Sequence, residues 1–211
     1  MQDLMPPAPM DPRSFAQRAR SGQAVVLDVR SYPAFSGLHI PGAWHIDLAG
    51  SFATQAGWII PPEKDILLVV EGMPQVGLAA VELRRVGLDR VAAYLDGGML
   101  SWGASALPVG RVPVISPVRA HELLESGQAT LIDVRSVEEK TAEHVKGSID
   151  MPWHDLRTGY SELDPQGRYI VMCKGGQRAS IAASILKMNG LSSVCNLAGG
   201  FMAYQRSGYI P

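Results

Sequence analysis

The sequence predicts an α/β chain of two tandem domains, each a central parallel sheet flanked by helices on both faces. Three observations carry this. Residues 11–31, DPRSFAQRARSGQAVVLDVRS, match residues 116–136, SPVRAHELLESGQATLIDVRS, without a gap at an offset of 105, with SGQA and DVRS identical. In both halves, short, continuously apolar, β-branched runs alternate with longer helix-like stretches, the pattern of a buried parallel sheet covered by helices. Two prolines and two glycines between 103 and 116 read as a connection. Each unit is far longer than the ~20–50 residues of a solenoid repeat, so this is a tandem duplication. The expected boundaries are a flexible tail at 1–10, a first domain at 11–105, a linker at 106–115 and a second domain at 116–211.

Each unit opens with a helix. Asp11-Pro12 and Ser116-Pro117 are an N-cap followed by proline at the first helical position. Gly22 and Gly127 suit the residue beyond the last turn. AVVLDV (24–29) and ATLIDV (129–134) come next, too short for helices and apolar on both faces. A turn follows, HIPGA at 39–43 and HVKGS at 144–148. DILLVV (65–70) and YIVM (169–172) read as second buried strands, preceding helices expected at 76–86 and 178–188 that end at Gly87 and Gly190. Short strands close each unit, RVAAYL and SVCNL, running into LDGG (95–98) and LAGG (197–200) at an offset of 102.

Composition narrows the function. Apolar residues are 46% of the 211 and charged residues 18%, enough for a substantial core and against disorder. A net charge of −1 gives no global field favouring nucleic acid or an anionic membrane. The longest clean apolar run, 66–70, is far below membrane-spanning length. The first ten residues have an early Asp3, three prolines and no apolar core, so they do not read as a signal peptide. The default expectation is a soluble, cytoplasmic protein with neither nucleic-acid nor membrane partners. The two cysteines, Cys173 and Cys195, are too few for a disulfide framework, and the five histidines never fall in a ligand spacing. No metal or other cofactor is expected.

The chemistry concentrates in CKGGQR, residues 173–178. Cys173 falls just past a buried strand and just before a helix, at the sheet edge where α/β proteins collect ligands. Gly175 and Gly176 allow left-handed backbone, so successive N–H groups can converge on an anion. The helix N-terminus, Lys174 and Arg178 add positive charge. All of these favour a thiolate and an anionic substrate beside it. The bland alternative is a packed core cysteine, since free cysteine is among the most buried residue types. A core cysteine needs neither two glycines nor two cations in the next five positions, whereas Cys195, in an apolar strand without a neighbouring cation in sequence, fits that description.

These motifs resemble the rhodanese family. CKGGQR is similar to its active-site loop, in which a catalytic cysteine starts a C-x-x-G-x-R segment. The D-V-R after the first strand (Asp28-Val29-Arg30, Asp133-Val134-Arg135), the H-I-P-G-A-like turn and the terminal L-x-G-G occur in order in both units. The likeness covers nearly the whole chain from Asp11. Lys140 stands where an aromatic residue is usual and Glu143 where glycine is usual. The resemblance implies a sulfurtransferase. The Cys173 thiolate would take the outer sulfur of thiosulfate or a persulfide and pass it, through a Cys173 persulfide, to cyanide or a thiol. Backbone N–H groups from Lys174, Gly175, Gly176, Gln177 and Arg178 would bind the substrate, with Lys174 and Arg178 drawing in an anionic donor. Asp133 and Arg135 would support the loop, and His144 and His154 would satisfy backbone groups. SFATQAGWIIPPEKDILLVVE and RRVGLDRVAAYLDGG also resemble the rhodanese tail of metallo-β-lactamase-fold persulfide dioxygenase fusions. That points to glutathione persulfide as a donor and to a separate persulfide dioxygenase as a partner.

Two rivals remain. Cysteine-dependent phosphatases and arsenate reductases of related fold place five residues between cysteine and arginine, and here there are four. The tighter ring suits a terminal sulfur better than a phosphoryl group. The other rival is a non-catalytic interaction or sulfur-carrier module, and the first unit fits it. At the offset of 102, EGMPQV (71–76) faces CKGGQR, so Glu71 replaces the cysteine and Val76 the arginine. The first domain is therefore expected to be inactive, retained for packing or for shaping the mouth of the catalytic second domain.

Overall fold

The computed structural model describes residues 7–210, the Ala142 side chain excepted. The chain separates between Gly110 and Arg111 into two compact units, a boundary inside the expected linker. The first unit runs β1 (Ala8–Met10), α1 (Pro12–Arg20), β2 (Ala24–Asp28), α2 (Tyr32–Gly37), β3 (Trp44–His45), α3 (Phe52–Ile59), β4 (Asp65–Val69), α4 (Met73–Arg84), β5 (Val91–Leu95) and α5 (Gly98–Ala104). The second runs β6 (Val114–Ile115), α6 (Pro117–Glu125), β7 (Thr130–Asp133), α7 (Val137–Ala142), β8 (Ile149–Asp150), α8 (Leu156–Gly159), a single 3-10 turn at Tyr160–Glu162, β9 (Tyr169–Met172), α9 (Gln177–Met188), β10 (Val194–Leu197) and α10 (Gly200–Arg206). Each unit is one five-stranded parallel sheet flanked by helices, in the orders β1-β5-β4-β2-β3 and β6-β10-β9-β7-β8.

Local chemistry sets the element ends. The Asp11 carboxylate accepts the N–H groups of Arg13 and Ser14, and the Ser116 hydroxyl accepts that of Arg119. Both caps satisfy donors that the first helical turn leaves open, and proline follows each where no N–H is needed. The central strands are apolar on both faces because helices cover both. Leu67, Leu68, Ile170 and Val171 are fully buried, each such side chain stabilising the fold by about 1.5–3 kcal/mol.

Two expectations are corrected. Residues 8–10 of the expected tail are a strand, pairing Ala8 with Ala93 and Met10 with Leu95, while residues 1–6 lie outside the described residues. Val114–Ile115, placed in the linker, is likewise an edge strand beside β10. In each unit the added strand covers what would be the open edge of the last strand. Pro9 is tolerated because an edge strand can spare a donor.

Strand register also reveals how the two units correspond. Asp28 pairs with Val69 and Asp133 with Met172. Since Asp28 and Asp133 are equivalent, Val69 matches Met172, an offset of 103. Beyond it, Ile66 pairs with Val91 but Leu67 with Ala93, whereas Tyr169 and Ile170 pair with the successive residues Val194 and Cys195. The first unit therefore carries one extra residue, Ala92, as a bulge in β5. The offset falls to 102 only there, after the loop that follows β4.

Candidate active site

Cys173 lies one residue beyond β9 and ahead of α9, at the C-terminal edge of the sheet. Its side chain is 1% exposed, and its Sγ accepts the Gly176 N–H at 3.1 Å. Gly176 adopts φ +111°, a conformation open to glycine and strained for other residues. Of the two loop glycines only this one takes positive φ, so Gly175 is not the conformational requirement expected of it.

The terminal L-x-G-G holds the loop from the other side. The N–H groups of Phe201 and Met202, at the start of α10, donate to the carbonyls of Cys173 (2.8 Å) and Lys174 (3.3 Å). Gly200 packs so close that a Cβ there would overlap the Cys173 carbonyl oxygen and sit 2.8 Å from that of Lys174. Asn196, fully buried on β10, donates from Nδ2 to the Gly176 carbonyl at 3.2 Å. With three loop carbonyls engaged behind it, the loop turns the Gly176 N–H toward the sulfur, the start of an anion-binding nest. Asn196 escaped sequence reasoning, although its place three residues before the paired glycines was visible.

Arg178 does not stand free. Its guanidinium makes a bidentate pair with Glu139 at 2.6 and 2.8 Å. That pair holds the Glu139 carboxyl at about 2, far below its ordinary 4.5. The arginine's own pKa is raised, first by Glu139 and then by the charge on Cys173. Glu139 is also half of a capping box, its carboxylate accepting the Ser136 N–H while the Ser136 hydroxyl accepts its own N–H. Arg178 thus brings charge and its neutralising partner together. Lys174 and Gln177 are exposed at the rim, and Lys174 has no ion pair among the described residues. Sequence reasoning missed Glu139, for which the S-x-x-E spacing at 136–139 was the available signal.

Asp133 and Arg135 form a buried clamp behind the site. Arg135 binds both carboxylate oxygens of Asp133, at 2.7 and 3.0 Å, and donates to the carbonyls of Glu139 (3.3 Å) and Glu143 (2.9 Å), spanning α7. Its guanidinium lies 3.7 Å over the Phe201 ring. Asp28 and Arg30 make the same pair at 2.6 Å in the first unit. His144 is exposed, and His154 faces the Asp155 carboxylate at 3.4 Å. The unusual Lys140 is buried with its Nζ 3.5 Å from Asp150. Phe35 and His45 occupy those two places in the first unit, stacked at 4.4 Å. Cys195, expected to lack cations, has Arg168 and Lys187 nearby. Burial outweighs both and pushes its thiol up to about 11.

The corresponding loop of the first unit differs from its sequence alignment. At the offset of 103, Val70 takes the place of Cys173, Glu71 that of Lys174 and Gln75 that of Arg178. Gly98 stands over the Val70 carbonyl, its Cβ position 3.3 Å away, as Gly200 stands over Cys173. Glu71 therefore replaces the rim cation, accepting the Ser31 hydroxyl at 3.0 Å, and a buried valine stands in place of Cys173. Ala34 stands where Glu139 does, at the offset of 105, so both members of the Glu139–Arg178 pair are missing together. Among the described residues no three His, Cys, Asp or Glu side chains gather as metal ligands, and no helix is long and apolar enough to cross a membrane.

The model of the rhodanese-like domain matches residues 11–105 and again 116–207. The chain belongs to the rhodanese family. This rhodanese is 34% identical over 87 residues to the thiosulfate sulfurtransferase GlpE of Ectopseudomonas mendocina, covering 41% of this chain and 79% of that one. GlpE of Actinobacillus pleuropneumoniae is 32% identical over 94 residues, 44% of this chain and 87% of that one. The putative sulfur carrier protein YrkF of Bacillus subtilis is 27% identical over 90 residues, 42% of this chain and 49% of that one. Among solved structures, a rhodanese-related protein from Thermoplasma volcanium aligns with 27% identity and a TM-score of 0.43, covering 46% of this chain and 94% of that one. At the level of the family, this rhodanese is a sulfurtransferase.

Proposed function

We propose that this rhodanese moves a sulfane sulfur from thiosulfate or a low-molecular-weight persulfide such as glutathione persulfide to cyanide or a thiol, through a Cys173 persulfide. The observation that carries the proposal is the Gly176 N–H aimed at Sγ in a loop whose carbonyls α10 and Asn196 hold turned away. The Cys173 thiolate attacks the outer sulfur of thiosulfate, a new S–S bond forms, and sulfite leaves with the electron pair of the bond that breaks. With glutathione persulfide the leaving group is the glutathione thiolate. Cyanide or an acceptor thiolate then attacks the terminal sulfur, and Cys173 leaves as thiolate. The N–H groups of Gly175, Gly176, Gln177 and Arg178 stabilise the persulfide anion without reorganising. Because Glu139 offsets the charge of Arg178, attraction of the anionic donor falls mainly to Lys174. Asp133 and Arg135 hold α7, and hence Glu139, in place. The first unit, with Val70 at the nucleophile's position, contributes no chemistry.

The competing readings part on turnover. Initial rates with varied thiosulfate and cyanide are expected to give parallel double-reciprocal lines, the signature of a ping-pong exchange, with no turnover of an aryl phosphate. Intersecting lines would remove the persulfide intermediate. Hydrolysis of the aryl phosphate would favour a phosphatase, and no turnover of any substrate would favour a carrier or interaction module.

A further inference from the structure

At the opposite end of the second unit's sheet lies a cavity of about 460 Å³ lined by Arg111, Arg119, Arg168 and Lys187 and by no carboxylate. Its volume is in the ~300–1,000 Å³ range of small-molecule sites. Arg168 immediately precedes β9 and Cys173 immediately follows it. A four-residue strand spans about 13 Å, so the cavity is separate from the active loop. Ile115, Leu123 and Val194 supply an apolar wall, and Ser192 and Ser193 add hydroxyl groups.

The first unit shows how this fold otherwise closes that end. Asp65 stands at the position of Arg168, since Ala24 pairs with Asp65 and the next pair in the second unit is Thr130 with Tyr169. The Asp65 carboxylate bridges Arg18 and Arg90, the latter at 2.7 Å. In the second unit Leu123 replaces Arg18 and Ser193 replaces Arg90, and the carboxylate becomes a further arginine. Among the described residues, the one ion pair made by the four cations around the cavity joins Arg119 to Glu122 at 2.8 Å. Arg111 and Arg168 have no ion-pair partner among the described residues. Lys187 donates to the Ser192 carbonyl at 2.8 Å, and burial depresses its pKa. Like charges that line one cavity repel unless an anion joins them.

We propose that this cavity binds a small organic polyanion. Two or more negative charges meet Arg111, Arg119, Arg168 and Lys187, and an apolar or aromatic body lies against Ile115, Leu123 and Val194. A phosphorylated nucleoside has that make-up. The test is titration calorimetry of the full chain at low salt with ATP and with inorganic pyrophosphate as probes. One ATP per chain is expected, displaced by excess pyrophosphate. Arg168→Asp, which installs the first unit's carboxylate, is expected to weaken ATP binding about tenfold or more without lowering the thermal midpoint of the empty protein. Lys187→Met carries the same expectation for binding should Arg168→Asp fold poorly. Glu122→Gln releases Arg119 and is expected to tighten binding, and Cys173→Ser is expected to leave it unchanged. Absence of heat with both probes overturns the proposal. So does ATP binding that both cavity variants leave within about twofold, or binding that Cys173→Ser abolishes, which would assign it to the active loop.

Discussion

A methyl group added at Gly200 would overlap the Cys173 carbonyl oxygen, whereas one added at Gly175 meets nothing within 4 Å. Gly200 also holds φ +59°, strain worth about 1–3 kcal/mol for another residue. Gly200→Ala is expected to lower sulfur transfer by an order of magnitude or more, about 1.4 kcal/mol of barrier per factor of ten. Gly175→Ala, also inside the signature loop, is expected to stay within about twofold of wild type. Comparing their rates with their unfolding midpoints separates loop geometry from global stability. The Glu139–Arg178 pair sets a second expectation at this scale. Because the folded carboxyl is depressed from 4.5 to about 2, its stabilisation is present above pH 4.5 and is lost as pH falls from there through 2. Glu139→Gln is therefore expected to lower the thermal midpoint at neutral pH, with the gap to wild type closing across that acid window. A gap independent of pH would contradict the pair's role.

At the scale of elements, strands and helices were legible wherever the pattern is contiguous. AVVLDV, ATLIDV, DILLVV and YIVM are buried strands, and α1 and α6 begin at the proline after their caps. Ala8–Met10 and Val114–Ile115 were not legible, because two or three residues carry no periodicity and owe their pairing to a distant partner. α4 starts at Met73, ahead of the expected 76. The loop comparison slipped by one residue because a bulge at Ala92 leaves no trace in composition. It moved the offset for LDGG and LAGG but not for the loops before it. Charge pairing across the fold was hidden in the same way, Glu139 reaching Arg178 and Arg168 reaching Cys195 only once the sheet is built. Val70→Cys restores a thiol at the nucleophile's position, but Glu71 lies beside it, Gln75 replaces the arginine, and Pro74 lacks the N–H that Gln177 provides. In a Cys173→Ser background, Val70→Cys is expected to take up no sulfur from thiosulfate, as read by intact-protein mass. Uptake there would mean that a thiol alone suffices and that the surrounding charge does not matter.

Over the whole molecule, the buried Asp–Arg clamp, the parallel sheet and the paired glycines are kept in both units, and Cys173 with the charged Glu139–Arg178 pair in one. What both units retain is what the fold needs, since breaking a buried ion pair is costly wherever it sits. What only the second unit has is what the proposed sulfur transfer calls on. On that proposal one sulfur per chain is expected, despite two domains of the same family. The most direct measurement is the intact mass of the protein after exposure to thiosulfate or glutathione persulfide and removal of excess donor. The account predicts a gain of one sulfur atom, kept in Cys195→Ser, lost in Cys173→Ser and discharged by cyanide. No gain with either donor, or a gain that survives Cys173→Ser, would contradict it.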